Sequence, residues 1–263
     1  GSVANRGSTL PIDRFYVAKL LGFAKVSGNS IDSVSDRDFV IEILSDLAIL
    51  SMHLSRIAED FIIWSSDEFD FVEGDDSHYT GSSMMPNKKN PDPFELIRGY
   101  TGKIYGDLIS VLVMMKGLPF IYNRDMQLDK PPLFESVEKI KKMLLILEKV
   151  LYGIKIEVNK MKSASQNEFI FAADVCEFLV TKKHPNRDAH DITGRLIRYS
   201  IEKNKEIKEM SDDELKKFAP ELNKKLMKDL LNPIESVKRV KSYGGTSPKS
   251  VNNQIAYWER KLR

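Results

Sequence analysis

Cysteine occurs once, at Cys176, so no disulfide can form within the chain. A lone cysteine inside the apolar run Val175-Cys176-Glu177-Phe178-Leu179 reads as a packing residue. Such usage fits an intracellular, reducing compartment, and the expected location is cytoplasmic. No apolar run approaches the roughly 20 residues needed to span a bilayer. The opening stretch Gly1-Ser2-Val3-Ala4-Asn5-Arg6-Gly7 has no apolar core of the kind a secretory signal carries. Neither sign of charge is in excess: 40 Lys and Arg against 38 Asp and Glu leave a net +2 over 263 residues. That balance argues against a nucleic-acid or membrane-surface partner. Histidine is scarce, and His53, His78, His184 and His190 are not spaced with carboxylates or cysteine as metal ligands are. No metal is expected, and no histidine is assigned to catalysis; for His190 the expected role is structural hydrogen bonding. Glycine-rich phosphate loops are also missing, so no nucleotide or other cofactor is expected.

What is present is helical periodicity. Ser35-Asp36-Arg37-Asp38 predicts a helix start, with Ser35 as cap and Asp38 three residues on. Val40, Ile43, Leu47, Leu50, Leu54, Ile57 and Phe61 then recur at 3–4 spacing. They predict one helix of roughly 28 residues, about 42 Å long. A second helix should open near Asp92-Pro93 and carry Ile97, Thr101, Ile104, Leu108, Val111 and Met115 before Gly117 and Pro119 end it. A third should start near Pro132 and carry Val137, Ile140, Leu144, Leu147, Leu151 and Ile154. All three seams have the heptad-like period of bundle packing. Neighbouring positions are apolar as well (Leu44, Ile49, Ile62, Ile63, Val113, Leu145), so the helices are expected to have neighbours on more than one side, as in an oligomer core; a monomeric bundle is the alternative. After about Asn159 the segments shorten. Helices are expected over 172–179, 187–201 and 251–262, with a capping box at Ser211-Asp212-Asp213-Glu214 and turns at Asn232-Pro233 and 243–248. No strand alternation is visible. The expected fold is all-α: a long-helix bundle over residues 1–158, followed by a small helical C-terminal domain over residues 159–263.

Between the first two long helices lies Thr80-Gly81-Ser82-Ser83-Met84-Met85-Pro86-Asn87-Lys88-Lys89-Asn90-Pro91. Small residues let its backbone N–H groups approach an anion, and Lys88 and Asn90 precede a helix N-terminus, where the dipole also favours negative charge. Those features fit an anion-binding loop with two hydroxyls; an ordinary polar connection fits them as well.

The run Gly81-Ser82-Ser83, Met85-Pro86, Lys88 and Asn90-Pro91 resembles the signature of the fumarase/aspartase superfamily. The later run Gly117-Leu118-Pro119, Tyr122-Asn123-Arg124-Asp125-Met126-Gln127 and Asp129-Lys130 is similar to that of argininosuccinate lyases. Pro11 to Arg14, Ser35 to Val40, Pro93 to Arg98, Ala189-His190 and Gly244-Gly245-Thr246 also fit, so the likeness spans nearly the whole chain. It implies a helical bundle of the fumarase/aspartase type, a homotetramer with sites shared between subunits, and elimination of fumarate from argininosuccinate to leave arginine. It implies further that Ser82 transfers the proton, as base or as acid, and that Lys88 and Asn90 stabilise the aci-carboxylate formed in the transition state. Ser83, Tyr122, Gln127 and Lys130 would hold the substrate, and Arg37 would pair with one of its carboxylates. For Arg37 a local ion pair with Asp36 or Asp38 is the competing expectation. Glu95 would orient a histidine of another subunit.

Members of that family are substantially longer. They carry a Ser-Asn-Asp segment and a Thr-His segment that these 263 residues do not contain, so the resemblance implies very low activity for these residues alone. Two other classes of function remain open at this point: another superfamily lyase, adenylosuccinate lyase or fumarase, and a non-enzymatic crystallin-like scaffold.

Overall fold

The structure, a computed structural model, describes residues 2–3, 7–81 and 89–263. Ser82, Ser83 and Lys88, all expected at the site, lie outside the described residues. The chain divides into two compact units, Gly1–Glu157 and Val158–Arg263.

The first unit opens with two short helices, α1 (Arg14–Leu20) and α2 (Ser30–Ser35), capped by the side chains of Asp13 and Asn29. Helix α3 (Asp38–Trp64) is 27 residues long. Its start differs from expectation: Ser35 ends α2, and extended backbone at Asp36 separates the two helices. The cap position of α3 is Arg37, which makes no side-chain capping bond, and the Asp38 N–H donates to Asp36 Oδ1 at 2.7 Å. Then come β1 (Val72–Glu73), β2 (Thr80–Gly81), β3 (Lys89–Asn90), α4 (Asp92–Met115), a 3-10 turn (Arg124–Asp129), α5 (Lys130–Gly153) and β4 (Lys155–Ile156). Pro93 of α4 and the prolines of α5 occupy first turns, where a missing N–H costs nothing. Strand β1 pairs with β4 and β2 with β3, both antiparallel. Ladders of two residues are too short to show alternation in a sequence.

Helices α3, α4 and α5 pack antiparallel in turn. At one end Phe94 of α4 stacks on Phe61 of α3 with ring centroids 4.9 Å apart, and at the other Val111 meets Val40 and Leu44. Midway, Thr101 Oγ1 donates to the Ser51 carbonyl at 3.1 Å. Leu133 of α5 lies by Val111, while Ile146 and Pro93 share a groove. Between α4 and α5 the buried Asp107 accepts from Ser136 Oγ at 2.9 Å and from Lys103 Nζ at 2.7 Å. A buried carboxylate with two such donors is satisfied rather than penalised.

The buried faces of α3 and α5 differ from the predicted seams. On α3 the covered residues are Val40, Leu44, Ala48, Ser51, Leu54 and Ala58, whereas Ile43, Leu50 and Ile57 are exposed. On α5 they are Ser136, Ile140, Met143, Leu147 and Val150, with Leu144 and Leu151 exposed. Each helix therefore has two apolar stripes, one covered by its own chain and one open. On α4 the expected Ile97, Thr101, Ile104 and Val111 are buried.

A side chain at Gly74 would have to displace its neighbour: a Cβ there would sit 1.8 Å from the ring of Tyr79, a buried residue directly before β2. Gly74→Ala is expected to push that ring out and cost about 1–3 kcal/mol, the usual penalty of overpacking. Urea unfolding measures this, and an unchanged midpoint would mean that Tyr79 has another place to go.

The second unit contains α6 (Val158–Ala164), α7 (Ala172–Thr181), α8 (Asn186–Lys203), α9 (Asp212–Lys216), α10 (Lys224–Leu230), α11 (Pro233–Arg239) and α12 (Pro248–Leu262). Leu179, Leu196, Met210, Leu215, Leu222 and Met227 are fully buried at its centre. Buried Glu168 accepts from the N–H groups of Ile207 (2.6 Å) and Lys208 (3.2 Å), satisfying a 3-10 turn that has no cap of its own. Ser211 and Glu214 form the expected capping box. Asn232-Pro233, expected as a turn, starts α11 instead: Asn232 Oδ1 accepts from the N–H groups of Ile234 and Glu235. No helix among the described residues is long and apolar enough to cross a membrane.

Candidate active site at the two ends of the bundle

The residues expected at the site fall into two groups. The first brackets the signature loop. Thr80 pairs with Asn90 and Gly81 with Lys89, so β2 and β3 close the loop at its base. The Thr80 hydroxyl and N–H both donate to Asp92 Oδ2, the carboxylate of the first residue of α4. Lys89 Nζ sits between Asp76 Oδ1 and Glu73 Oε1, each at 2.6 Å. Donating hydrogen bonds to Asp76 and then Glu73 raises the Lys89 ammonium above its usual range, and the same bond from Lys89 lowers the Glu73 carboxyl. Asn90 is half-buried beside this cluster, and Glu95 is exposed on the first turn of α4. Glu73, Asp76, Lys89 and Asp92 were not singled out from the sequence. Lys89 and Asp92 lie in or beside the motif, while Glu73 and Asp76 had no signal beyond a polar, turn-like stretch.

The second group follows α4. Gly117, with φ +80°, takes the left-handed conformation that lets the chain leave the helix. Fully buried Met126 anchors the 3-10 turn, and Gln127 Nε2 donates to the Tyr122 hydroxyl at 3.0 Å. Asp129 is buried and holds two cations, Arg37 Nε at 2.7 Å and Lys130 Nζ at 3.1 Å. Arg37 Nη1 also donates to the Asp36 carbonyl at 2.6 Å. Its carboxylate partner is thus neither Asp36 nor Asp38 but a residue at the start of α5, which was not singled out. Among the described residues Nη2 has no partner. The segment from Tyr122 to Lys130, with Arg37 tied to it through Asp129, thus carries a phenol, an amide, an ammonium and a guanidinium, all able to donate to carboxylate oxygens.

The structure thus joins Arg37 to Lys130 through Asp129 and Tyr122 to Gln127, but it does not join either pair to Asn90 or Glu95. The two groups flank opposite ends of α4, whose 24 residues span about 36 Å at 1.5 Å per residue. Of the histidines, His78 lies in the turn between Asp76 and Thr80, its N–H donating to the Asp75 carbonyl at 3.0 Å, His184 Nε2 is 3.3 Å from Glu221 Oε1, and His190 is exposed with Asp191 at 3.8 Å.

The family model described as "Lyase" matches residues 1–106, and that described as "Argininosuccinate lyase C-terminal" matches residues 169–238. The curated argininosuccinate lyase of Caldicellulosiruptor bescii is 49% identical over 258 residues, covering 97% of this chain and 55% of that protein. The argininosuccinate lyase of Aquifex aeolicus is 46% identical over 251 residues, covering 95% and 54%. The chain therefore spans about half the length of these relatives. The crystal structure of EDDS lyase in complex with formate superposes with a TM-score of 0.83 at 26% identity, covering 100% of this chain and 54% of that one. The 3-carboxy-cis,cis-muconate lactonizing enzyme of Pseudomonas putida, 17% identical with a TM-score of 0.66 and covering 83% of this chain and 48% of its own, shares the fold. With close to half of its residues identical to curated members over nearly its whole length, the chain belongs to the argininosuccinate lyase family.

Proposed function

We propose that this chain supplies the catalytic-loop portion of an argininosuccinate lyase, acting at sites assembled between copies of the chain. The observation that carries this reading is the separation of the two residue groups: a single chain holds carboxylate-binding donors at one end of a rigid bundle and the signature loop at the other. Antiparallel association of copies brings one chain's loop end to another's clamp end, and the open apolar stripes of α3 and α5 provide surface for it. A homotetramer meets that requirement, and the cytoplasm suits the single cysteine.

In the reaction a proton leaves the carbon beside a substrate carboxylate, the carbon–nitrogen bond breaks, and its electron pair departs with the arginine nitrogen, leaving fumarate. Ser82 takes the proton or returns it to the leaving group. Lys88 and Asn90 meet the charge that grows on the carboxylate, where preorganised donors contribute most. Ser83, Tyr122, Gln127 and Lys130 hold the substrate. Arg37 keeps Asp129, and through it Lys130, in place, with Nη2 left for a substrate oxygen. Glu95, exposed near the loop, orients a histidine from another copy.

Release of fumarate from argininosuccinate, followed by absorbance, tests the reading with Ser82→Ala as control. The assay includes the part of the Caldicellulosiruptor bescii enzyme that this chain does not cover. Turnover that falls by two orders of magnitude or more in the control is expected. Turnover of adenylosuccinate or malate instead would assign a different superfamily lyase. Binding without turnover of any of the three would favour the scaffold.

A further inference from the structure

Helices α6 and α11 bury none of their residues in the second unit. Their apolar side chains, Val158 and Met161 from α6, Ile234 and Val237 from α11, instead face a groove of about 750 Å³ that also reaches Leu231 and Pro248. Val158 is 64% and Ile234 57% exposed, so the floor is open to solvent. The α11 wall is fixed from behind, because Asp174 accepts from Ser236 Oγ at 2.8 Å and from Arg239 Nη2 at 3.0 Å.

Four lysines line the same groove, Lys162, Lys208, Lys228 and Lys238, and among the described residues no carboxylate does. Lys208 is held by Glu206 at 2.7 Å and Lys238 by Glu235 at 2.8 Å. Lys162 and Lys228 are exposed and have no ion pair among the described residues. An apolar floor under a cationic rim suits an occupant with an apolar body and an anionic end. The volume lies in the range of about 300–1,000 Å³ usual for small-molecule sites. A second copy's α12 is a poor occupant: its apolar stripe of Val251, Ile255, Trp258 and Leu262 travels with Lys249, Arg260, Lys261 and Arg263, which like-charge repulsion keeps from this rim.

We propose that this groove is a binding site for an amphipathic carboxylate, a medium-chain aliphatic acid. Its chain lies on the α6 and α11 side chains, and its head is at the lysine rim, where Lys162 and Lys228 are the ammoniums not already paired. The site is separate from the lyase reading and does not depend on it.

Octanoate is the test ligand and octanol its uncharged counterpart, each titrated into the chain by calorimetry and followed at the methyl resonances of Met161, Ile234 and Val237. Saturable octanoate binding that moves those methyls is expected. Lys162→Glu together with Lys228→Glu should weaken octanoate about tenfold, the combined effect of two exposed ion pairs, and leave octanol unchanged. Lys162→Met with Lys228→Met should also weaken octanoate, and unchanged circular dichroism checks that either pair still folds. Ile234→Asp should abolish binding of both ligands. Equal binding of octanoate and octanol whatever the lysines, shifts at other methyls, or no saturation would each overturn the proposal.

Discussion

Two variants of this chain, each inactive by itself, are expected to recover activity when mixed. Asn90→Ala removes an amide at the loop end of α4, and Gln127→Ala removes the partner of the Tyr122 hydroxyl at the far end. Asn90→Ala should lower turnover by about two orders of magnitude or more, the usual scale for losing a donor matched to transition-state charge, and Gln127→Ala by about two orders of magnitude, the scale of a misplaced substrate. Because one chain cannot bring these ends together, a site takes its loop end from one copy and its clamp end from another. In a randomly mixed assembly about a quarter of such sites inherit both intact ends, so the mixture should reach roughly a quarter of full turnover. The measurement is fumarate release after the two variants are denatured together and refolded, with the missing part of a curated relative supplied. Activity no greater than the sum of the separate variants would mean that each site is built within one chain, against the geometry of α4.

Phe94→Ala is the substitution with the largest expected effect on stability. Phe94 is fully buried at the loop end of α4, stacked on Phe61, in the cluster that includes Ala58, Tyr79 and Ile97. Truncating a buried phenylalanine costs about 3–5 kcal/mol through lost transfer energy and the cavity left behind. Domains are stable by only about 5–15 kcal/mol, so that loss is a large share of the total. Phe94→Leu keeps most of the volume and should cost under about 2 kcal/mol. Urea midpoints for the two variants decide the matter; an alanine variant within about 1 kcal/mol of the parent would indicate that α3 and α4 close over the gap. Phe94 lies two residues after Asp92, so the alanine variant should also loosen the Thr80–Asp92 tie before the bundle as a whole unfolds.

The long helices were legible because periodicity over many turns is hard to mistake, and the Ser211 capping box because its two partners are local. The buried face of α3 was not. A 3.5-residue period picks out Ile43, Leu50 and Ile57, but the stripe its own chain covers includes Ala48, Ser51 and Ala58, small residues that let α4 approach closely and that hydrophobicity undervalues. Helices of about two turns, such as α1, α6 and α11, have no room for a period, and the β1–β4 ladder joins residues some eighty positions apart. At the candidate site the motifs marked which residues matter. What they could not carry was that Asp129 holds Arg37, or that Glu73 and Asp76 hold Lys89, because those pairs are fixed by tertiary packing.

Helix α4 also acts as a ruler. Its length and its rotation together set where the Tyr122 to Lys130 segment stands relative to the loop that precedes it. One inserted residue would lengthen it by about 1.5 Å and turn everything beyond by about 100°, swinging Asp107 away from Ser136 and the clamp away from its neighbours. Seven inserted residues would nearly restore the angle yet move the clamp by about 10 Å. Insertions and deletions within residues 92–115 should therefore be tolerated far less than substitutions on the exposed side of the same helix, whatever the inserted residues are.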